Sequence, residues 1–277
     1  MTTDSHDIAR EIERGERFEF GANWRRFLDG LDAAKISQAE NSLTGWLGDD
    51  IADKRFLDIG SGSGLLSLAA VNLGARVHSF DYDPASVACT RLLKERYHPE
   101  DAAWRVEQGS ALDDGFLAGL EQADIVYSWG VLHHTGDMYS ALANAADLVR
   151  PGGRIFIAIY NDQGWISRYW HGVKRLYNRG GVLRWMMIIA HSPYLLGGRW
   201  LARLLSGRRA LERGMSLWHD MLDWLGGYPF ETASPSGIIE FFTRRGFELA
   251  RLKDCGTRMG CNEYLFVRHR AADAVEV

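Results

Sequence analysis

The amino-acid sequence predicts an α/β fold built on a parallel sheet, and three features lead to that prediction. Residues 56–64 read FLDIGSGSG, an apolar strand that runs into a glycine-rich turn, and the helical segment LLSLAAVNLG follows at once. Strand and helix patterns alternate over residues 56–160, as expected for right-handed crossovers between parallel strands. Residues 75–83, ARVHSFDYD, have the composition of a second strand that ends in acidic residues.

The glycine-rich turn places Gly60, Gly62 and Gly64 at alternate positions after Asp58. Glycine adopts positive φ angles without steric cost and lets the backbone approach a ligand closely. The helix that follows presents unpaired N–H groups and a partial positive charge at its N-terminus. This arrangement fits a nucleoside cofactor, but a dinucleotide site would place its third glycine three residues after the second. A purely structural turn is the alternative interpretation.

An acidic segment ends the second predicted strand. Asp81 lies 23 residues after Asp58, about the distance over which one βα unit returns to the neighbouring strand end. A carboxylate at that point can accept hydrogen bonds from both hydroxyls of a ribose, and Tyr82 is placed to lie against a base. A solvated loop acid is the alternative for Asp81. Asp83 and Pro84 predict the start of the next helix, as its N-cap and first-turn residues.

Five segments over residues 56–162 resemble, in order, the motifs of the class I S-adenosylmethionine (SAM)-dependent methyltransferases. The glycine-rich turn resembles the first motif, whose backbone meets the methionine part of SAM. VEQGSALDD at 106–114 resembles the third motif, with Ser110 where the family often has an aspartate that reaches the adenine. ADIVYSWGVLHHTGDM at 123–138 and LVRPGGRIFIAIYND at 148–162 resemble the fourth and fifth strands with their following loops.

The resemblance implies a Rossmann-like, seven-stranded, mostly parallel sheet with helices on both faces, an N-terminal helical cap and a helical insertion before the last helix. It implies SAM as cofactor and S-adenosylhomocysteine as product. The implied cofactor-binding residues are Asp58, Gly60, Ser61, Gly62, Gly64, Leu65, Asp81, Tyr82, Ser110, Ala111, Ser128 and Trp129.

Four segments follow from this organisation. Residues 1–50 are expected to form the N-terminal helical cap, and residues 51–160 the SAM-binding core. Residues 161–233 form a basic, aromatic and helical insertion, and residues 234–277 supply the last helix and two antiparallel strands that complete the core. The segment SPSGIIEFFTRRG starts with serine and proline and ends at glycine, as expected for that helix.

The insertion is unusual in its charge. From Trp165 to Met215 a single acid, Glu212, opposes ten basic residues, and four tryptophans are interleaved with them. The basic residues are Arg168, Lys174, Arg175, Arg179, Arg184, Arg199, Arg203, Arg208, Arg209 and Arg213. Amphipathic packing with a solvated basic face, or a lid over the pocket, is one interpretation. Contact with a membrane surface through residues 165–215 is a second, and a polyanionic partner is a third.

Methyl transfer to an alcohol or phenol needs a base that takes the acceptor proton. The candidates are His134, in the loop after the fourth strand, and His219 with Asp220 as its orienting partner. Neighbouring residues in a helix do not face each other, so either His219 lies in an irregular turn or a different carboxylate orients it. Capping or packing of the following helix is the alternative role for His133 or His134.

The acceptor is expected to meet Trp24, His133, Tyr160, Asn161 and Tyr228, with helix packing as the alternative for Trp24. The segment HDMLDWLGGYPFE at 219–231 loosely resembles the ubiquinone-pathway O-methyltransferases, which favours O-methylation of a small molecule. S-methylation of a small thiol or sulfide stays open. A non-catalytic SAM-binding sensor or scaffold, docked to a membrane or RNA by the insertion, is the alternative of another class.

Composition limits which partners, metals and cellular locations are expected. The 277 residues are 46% hydrophobic with a net charge of −4, which gives no global reason to expect nucleic acid. Three cysteines show no metal-ligand spacing, and no metal is expected. The polar N-terminus does not resemble a secretory signal, and no apolar stretch is long enough for a membrane span. We therefore expect a cytoplasmic protein, with peripheral membrane contact as an option and its oligomeric state open.

Overall fold

The computed structural model describes residues 5–206, 217–258 and 260–270. Within them one sheet has the strand order β3-β2-β1-β4-β5-β7-β6. The strands are β1 Arg55–Ile59, β2 Arg76–Asp81, β3 Trp104–Gln108, β4 Ala123–Trp129, β5 Val149–Tyr160, β6 Phe247–Lys253 and β7 Cys261–Arg268. The first five pair in parallel, and β7 runs antiparallel to both β5 and β6. The predicted seven-stranded, mostly parallel fold is confirmed.

The helices alternate with the parallel strands and extend before and after them. They are α1 Ser5–Glu13, α2 Gly21–Asp29, α3 Ala33–Leu47, α4 Leu65–Asn72, α5 Pro84–Tyr97, α6 Asp114–Leu117, α7 Met138–Asp147, α8 Trp165–Asn178, α9 Gly181–Ser206, α10 Leu217–Gly226 and α11 Pro235–Thr243. Several begin at a side chain that accepts a backbone N–H. Asp83 caps α5 by accepting from Ala85, with Pro84 in the first turn, and Ser234 caps α11 by accepting from Gly237.

The sheet is covered on both faces, as parallel sheets require. Alternation along β1 sends Phe56 and Leu57 to opposite sides. Phe56 belongs to the buried cluster that includes residues of α3, α4 and α5. Leu57 belongs to the cluster that includes residues of α7 and α11. The parallel strand ends on which a ligand would be bound therefore project from a rigid, two-sided core.

The insertion has a small core of its own. Trp170 and Tyr177 of α8, Ile188 of α9 and Leu225 of α10 are buried in one cluster that also contains Phe230. This cluster meets the sheet at Tyr160, the last residue of β5. The insertion is thus packed onto the end of the sheet where the candidate site lies.

Part of the predicted basic set cannot be placed. Arg208, Arg209 and Arg213 lie outside the described residues, and the side chains of Arg199 and Arg203 are likewise not described. Among the helices that the structure describes, none is both long enough and apolar enough to cross a membrane.

Candidate active site

The glycine-rich turn has the backbone geometry that its sequence predicts. Gly60, Gly62 and Gly64 have φ angles of 77°, 55° and 80°. A Cβ atom on Gly60 would lie 2.4 Å from Val131 Cγ1, and one on Gly64 would lie 2.8 Å from Thr90 Cα. At these glycine positions both the positive φ angles and the close neighbouring atoms exclude a side chain.

Asp58 supports the turn from inside the core. It is only 3% exposed, and the hydroxyl of Ser67 donates to its carboxylate. Ser79 Oγ donates to Ser67 Oγ at 2.7 Å, and Trp104 Nε1 donates to Ser79 Oγ at 3.0 Å. Burial raises the pKa of Asp58 to about 7, although the Ser67 hydrogen bond opposes the shift. A buried polar chain thus joins β1, α4, β2 and β3 beneath the turn.

Asp81 lies at the end of β2 and is bonded to the glycine-rich turn. Its carboxylate oxygens accept the backbone N–H groups of Gly62 and Asp83, each at 2.9 Å. Burial raises the pKa of Asp81 to about 6 against these two hydrogen bonds. A carboxylate oxygen has two lone pairs, so each still has one to offer a ligand hydroxyl. The residue types and geometry fit the predicted ribose contact.

The N-terminal segment reaches over this strand end through two residues that we did not predict. Arg17 Nε donates to Glu11 at 2.7 Å, and the Arg17 guanidinium lies 4.5 Å from the centre of the Tyr82 ring. The Tyr82 hydroxyl donates to Glu11 at 3.1 Å. Arg17 also donates to the backbone oxygen of His134 at 3.3 Å. The segment therefore links the end of β2 to the loop after β4.

Trp24 lies against the glycine-rich turn. Its ring is 3.1 Å from the point that a Cβ on Gly62 would occupy, and it meets the Phe27 ring edge-on at 6.2 Å. It is only partly buried against the core cluster on its side of the sheet. The structure thus places Trp24 beside the glycine-rich turn, and its contact with the acceptor stays a prediction.

The side chains of three other predicted cofactor residues have different surroundings. Ser110 Oγ accepts the N–H of Leu112 at 3.1 Å, which closes its own turn. Ala111 is buried beside it. Ser128 is fully buried and donates to the backbone oxygen of Ile59 at 3.0 Å, so its hydroxyl joins β4 to β1.

Three further predicted residues surround the same turn. Ser61 Oγ and Thr90 Oγ1 are 2.9 Å apart, which fastens the turn to α5. Leu65 begins α4, and Trp129 ends β4. Both are partly buried against the core cluster of α3, α4 and α5.

His133 lies in a 3-10 turn, Leu132–His134, directly after β4. It is completely buried, and its ring centre is 4.1 Å from that of Tyr160. Neither ring nitrogen has a hydrogen-bond partner among the described residues. Burial lowers the pKa of His133 well below its usual value. His133 is therefore a neutral, packed ring in contact with Tyr160, in line with the packing alternative.

His134 has a defined tautomer. Its Nδ1 lies 2.5 Å from the backbone oxygen of Pro229. A carbonyl oxygen can only accept, so Nδ1 holds the proton and Nε2 keeps its lone pair. Burial, with the charges of Lys174 and Arg17, lowers the pKa of His134 to about 3 against the opposing effect of the Pro229 hydrogen bond. His134 is thus neutral and oriented by the loop that follows α10.

An aromatic cluster surrounds Tyr160 and includes a buried cation. The Tyr160 ring lies 5.5 Å from Trp224 and 5.0 Å from Phe230, centre to centre. Lys174 is fully buried, donates to the backbone oxygen of Trp224, and lies 4.4 Å and 4.8 Å from the Trp224 and Phe230 rings. Trp224, Phe230 and Lys174 were not predicted as site residues.

Two more predicted acceptor residues, Asn161 and Tyr228, have defined contacts. The Asn161 amide donates to the backbone oxygen of Gly256 at 2.7 Å and accepts from Asn262 at 3.1 Å. Its side chain therefore fastens the loop before β7. The Tyr228 ring lies 5.6 Å from the His171 ring, on the α8 side.

A cavity of about 480 Å³ lies beyond the end of β5. Its lining residues are Asp162, Gly164, Ser167, Arg168, His171, Phe230 and Thr232. Phe230 contacts Tyr160, so the cavity and the aromatic cluster are adjacent. Among these lining residues only Arg168 was named from the sequence, as one of the basic residues of the insertion.

His219 and Asp220 lie in α10, a regular helix. Successive residues in a helix are about 100° apart around its axis. The irregular turn on which the pair depended is therefore not present, and the side chains of both residues lie outside the described part of the chain.

Comparison with known proteins matches these features to a family. Residues 57–155 match a family model described as a methyltransferase domain. A ubiquinone biosynthesis O-methyltransferase from Methylobacterium sp. (strain 4-46) is 31% identical over 165 residues, which are 55% of this chain and 64% of the relative. Another, from Erwinia tasmaniensis, is 28% identical over 207 residues, which are 67% of this chain and 83% of that protein. The alignment thus spans just under two thirds of the Methylobacterium protein.

Solved structures share the fold at low sequence identity. Magnesium protoporphyrin IX methyltransferase from Synechocystis PCC 6803, crystallised with SAM, is 16% identical with a TM-score of 0.53, and the match covers 96% of this chain and 97% of that one. An O-methyltransferase family protein from Burkholderia thailandensis is 13% identical with a TM-score of 0.54, over 85% and 57% of the two chains. The matched domain, the relatives and the sheet together support a class I SAM-dependent methyltransferase fold for the core of this chain.

Proposed function

We propose that the protein transfers the methyl group of SAM to a small-molecule acceptor, and that the acceptor atom is oxygen. The observation that carries the proposal is the hydrogen bond from Gly62 to Asp81, which unites the glycine-rich turn and the acid in one site. Tyr160 is the last residue of β5 and His134 follows β4, so both lie at the same edge of the sheet. The relatives named as O-methyltransferases support oxygen as the acceptor atom.

The chain's own residues would hold the cofactor by its polar groups. Asp81 would accept from the ribose hydroxyls with its remaining lone pairs, and the bare turn at Gly60 and Gly62 would meet the methionine part. Tyr82 and Ser110 are on the adenine side in this proposal. When bound, SAM supplies a methyl group on a positively charged sulfur, which makes that carbon electrophilic.

The acceptor would enter from the insertion side. The cavity of about 480 Å³ beyond β5 is adjacent to Phe230 and, through it, to Tyr160. His133 packs against Tyr160 and would fix its position. Asn161 and Tyr228 would then shape the rim of the pocket. Because the reaction is a displacement at carbon, the main task of these residues is to align the acceptor.

His134 is the candidate base. Its Nε2 lone pair would accept the acceptor proton while Pro229 holds the opposite nitrogen. A pKa of about 3 keeps the ring in its accepting form at neutral pH but makes it a weak base. The arrangement therefore suits a proton that is already acidic, such as that of a phenol. His219, with Asp220, stays a second candidate base on α10.

The low pKa of His134 also favours a second candidate function, the methylation of a small thiol or sulfide. A thiol ionises near neutral pH and is nucleophilic without a strong base. In that case neither His134 nor His219 would be essential for turnover.

The test is to incubate the purified protein with methyl-labelled SAM and a metabolite extract of the source cells, with small thiols and sulfide assayed in parallel. Label in a stable methyl ether, or in a methyl ester that is hydrolysed by base, would support O-methylation and define the acceptor to purify. Label in a thiol-derived or volatile product would replace it by S-methylation. Confirmed SAM binding with no transfer to any fraction would contradict an enzyme and favour a SAM-binding sensor or scaffold.

A further inference from the structure

Exposed apolar side chains lie on α8 and α9, in the insertion that borders the proposed acceptor cavity. The residues of this surface are Trp165, Tyr169, Val182, Trp185, Met186, Ile189 and Tyr194, and each has more than half of its surface exposed. Only four other large hydrophobic side chains among the described residues are classed as exposed, and each is less than half exposed. Contiguous apolar surface of this kind marks a binding site for another surface.

Helical spacing collects most of these residues on one side of α9. Counted from Val182, three exposed residues follow at three, four and seven positions: Trp185, Met186 and Ile189. This spacing places all four on one face of the helix. A different face is buried in the core of the insertion, through Ile188, His191 and Leu195. The α9 helix is thus apolar on the face that it needs for folding and on a second face that folding leaves open.

A side-chain hydrogen bond fixes the two helices that carry these residues relative to each other. The Tyr169 hydroxyl of α8 and His191 Nε2 of α9 are 2.7 Å apart, and the two rings also lie against each other at 5.9 Å. His191 Nδ1 donates to the backbone oxygen of Met187 at 2.7 Å. The hydroxyl therefore donates to Nε2, and Trp165 and Trp185 belong to a fixed pair of helices.

The charge of this region has one sign. Residues 165–206 contain seven Lys and Arg and no Asp or Glu, within a chain whose net charge is −4. Lys174 is buried, but Arg168, Arg175, Arg179 and Arg184 are exposed. By helical spacing Arg184 lies on the buried side of α9, over the Tyr177 ring. The cations that border the exposed residues are therefore Arg168, Arg175 and Arg179 of α8, and no acid of the same segment neutralises them. A partner has to offer both apolar contact and negative charge.

We propose that the exposed face of α8 and α9 binds the surface of a lipid bilayer that carries anionic headgroups. Tryptophan and tyrosine favour the boundary between headgroups and acyl chains, where an amphipathic helix lies in the plane of the membrane. Arginine next to the surface is attracted by anionic lipid. A second copy of this chain would bring two basic faces together, and nucleic acid would leave the Val182–Ile189 stripe without an apolar contact.

Such binding would place the cavity near the bilayer. Arg168 lines the cavity and lies on α8 between Trp165 and Tyr169, which belong to the exposed face. Membrane binding by α8 and α9 requires only this surface, so it can be tested independently of the proposed methyl transfer.

The test is co-sedimentation of the full-length protein with vesicles of phosphatidylcholine, with and without phosphatidylglycerol, at low and high salt. The double variant Trp185→Ala, Ile189→Ala removes two exposed contacts. The matched control, Leu92→Ala, Tyr97→Ala, removes two exposed side chains of α5. Circular dichroism and melting temperature verify that both variants fold.

We expect binding to phosphatidylglycerol vesicles that weakens with salt, and a roughly tenfold or greater loss in the α9 double variant but not in the α5 control. No sedimentation with anionic vesicles at low salt would overturn the proposal, as would equal binding of the two variants. Light scattering provides an independent check, because a dimer that dissociates only in the α9 variant would identify the face as a contact between copies instead.

Discussion

The backbone N–H of Gly62 donates to the carboxylate of Asp81 at 2.9 Å. This bond joins the turn after β1 to the end of β2, the two places where the domain is expected to hold its cofactor. It also explains how a buried acid with a raised pKa is kept in one orientation, since a second N–H, from Asp83, donates to the other oxygen. Asp81 is thus fixed by the fold before any ligand arrives.

Removal of the Asp81 carboxylate should weaken SAM binding. Asp81→Ala is expected to cost about 1.5–3 kcal/mol of binding free energy, the range for a hydrogen bond to a charged group. Isothermal titration calorimetry measures it, and Asp147→Ala, at an exposed acid of α7, is the control. Unchanged affinity in Asp81→Ala would refute the ribose assignment.

SAM affinity should depend on pH through the same residue. Burial raises the pKa of Asp81 to about 6, so the carboxylate is ionised at pH 8 and protonated at pH 5. Only the ionised form accepts hydrogen bonds with both oxygens, so affinity should fall as the pH falls through about 6. In Asp81→Asn this part of the pH dependence should disappear.

The comparison with Asp81→Asn is essential because other groups titrate nearby. Burial raises the pKa of Asp58 to about 7, so this carboxyl also titrates in the range measured. Protonation of SAM itself affects the wild type and Asp81→Asn equally. Parallel pH profiles for the wild type and Asp81→Asn would therefore contradict the role given to Asp81.

A side chain in the glycine-rich turn should be destabilising. Gly60→Ala places a Cβ 2.4 Å from Val131 Cγ1 at a φ of 77°, and we expect a loss of about 1–3 kcal/mol of unfolding free energy. Chemical denaturation measures this. The double variant with Val131→Ala should recover only the part due to the two Val131 methyl groups, because the Cβ at position 131 would still lie 2.9 Å away and the unfavourable φ remains. A fully stable single variant would show that the turn tolerates a side chain.

His134→Asn separates orientation from proton transfer. The asparagine amide can still donate to the Pro229 oxygen, but the Nε2 lone pair is lost. For an oxygen acceptor we expect kcat to fall by about 10² or more, with SAM affinity unchanged. Turnover at the wild-type rate would exclude His134 as the base and would favour a thiol acceptor or His219.

Much of the fold follows from local sequence pattern. The strand, glycine turn and helix at residues 55–72 are adjacent in the chain, and the acid at the end of β2 lies one βα unit later. Each is specified by short-range periodicity and backbone preference. The same reasoning located Asp81, because a parallel sheet brings the carboxyl ends of neighbouring strands together.

The residues that were missed depend on contacts between distant segments. Arg17 and Glu11 meet Tyr82 across about 70 positions, and no local pattern predicts that pairing. Lys174 appeared as one cation in a basic stretch, but the rotation of α8 buries it against Trp224 and Phe230. Such contacts are set by tertiary packing, which periodicity alone does not give.

Two predicted site side chains also have structural partners for the same reason. Ser128 is at the predicted strand end, but its hydroxyl bonds to Ile59 of the neighbouring strand. The Asn161 amide bonds to the loop before β7, which is nearly a hundred residues away in the chain. Position at a strand end was predictable, whereas the direction of the side chain was not.

The central claim is that the glycine-rich turn and Asp81 hold SAM with its methyl group toward Tyr160 and His134. A crystal structure of the protein with S-adenosylhomocysteine tests it most directly. We predict that both ribose hydroxyls lie within about 3.2 Å of the Asp81 carboxylate and that the sulfur lies on the side of Tyr160. A ribose bound elsewhere, with Asp81 bonded only to Gly62 and Asp83, would contradict it.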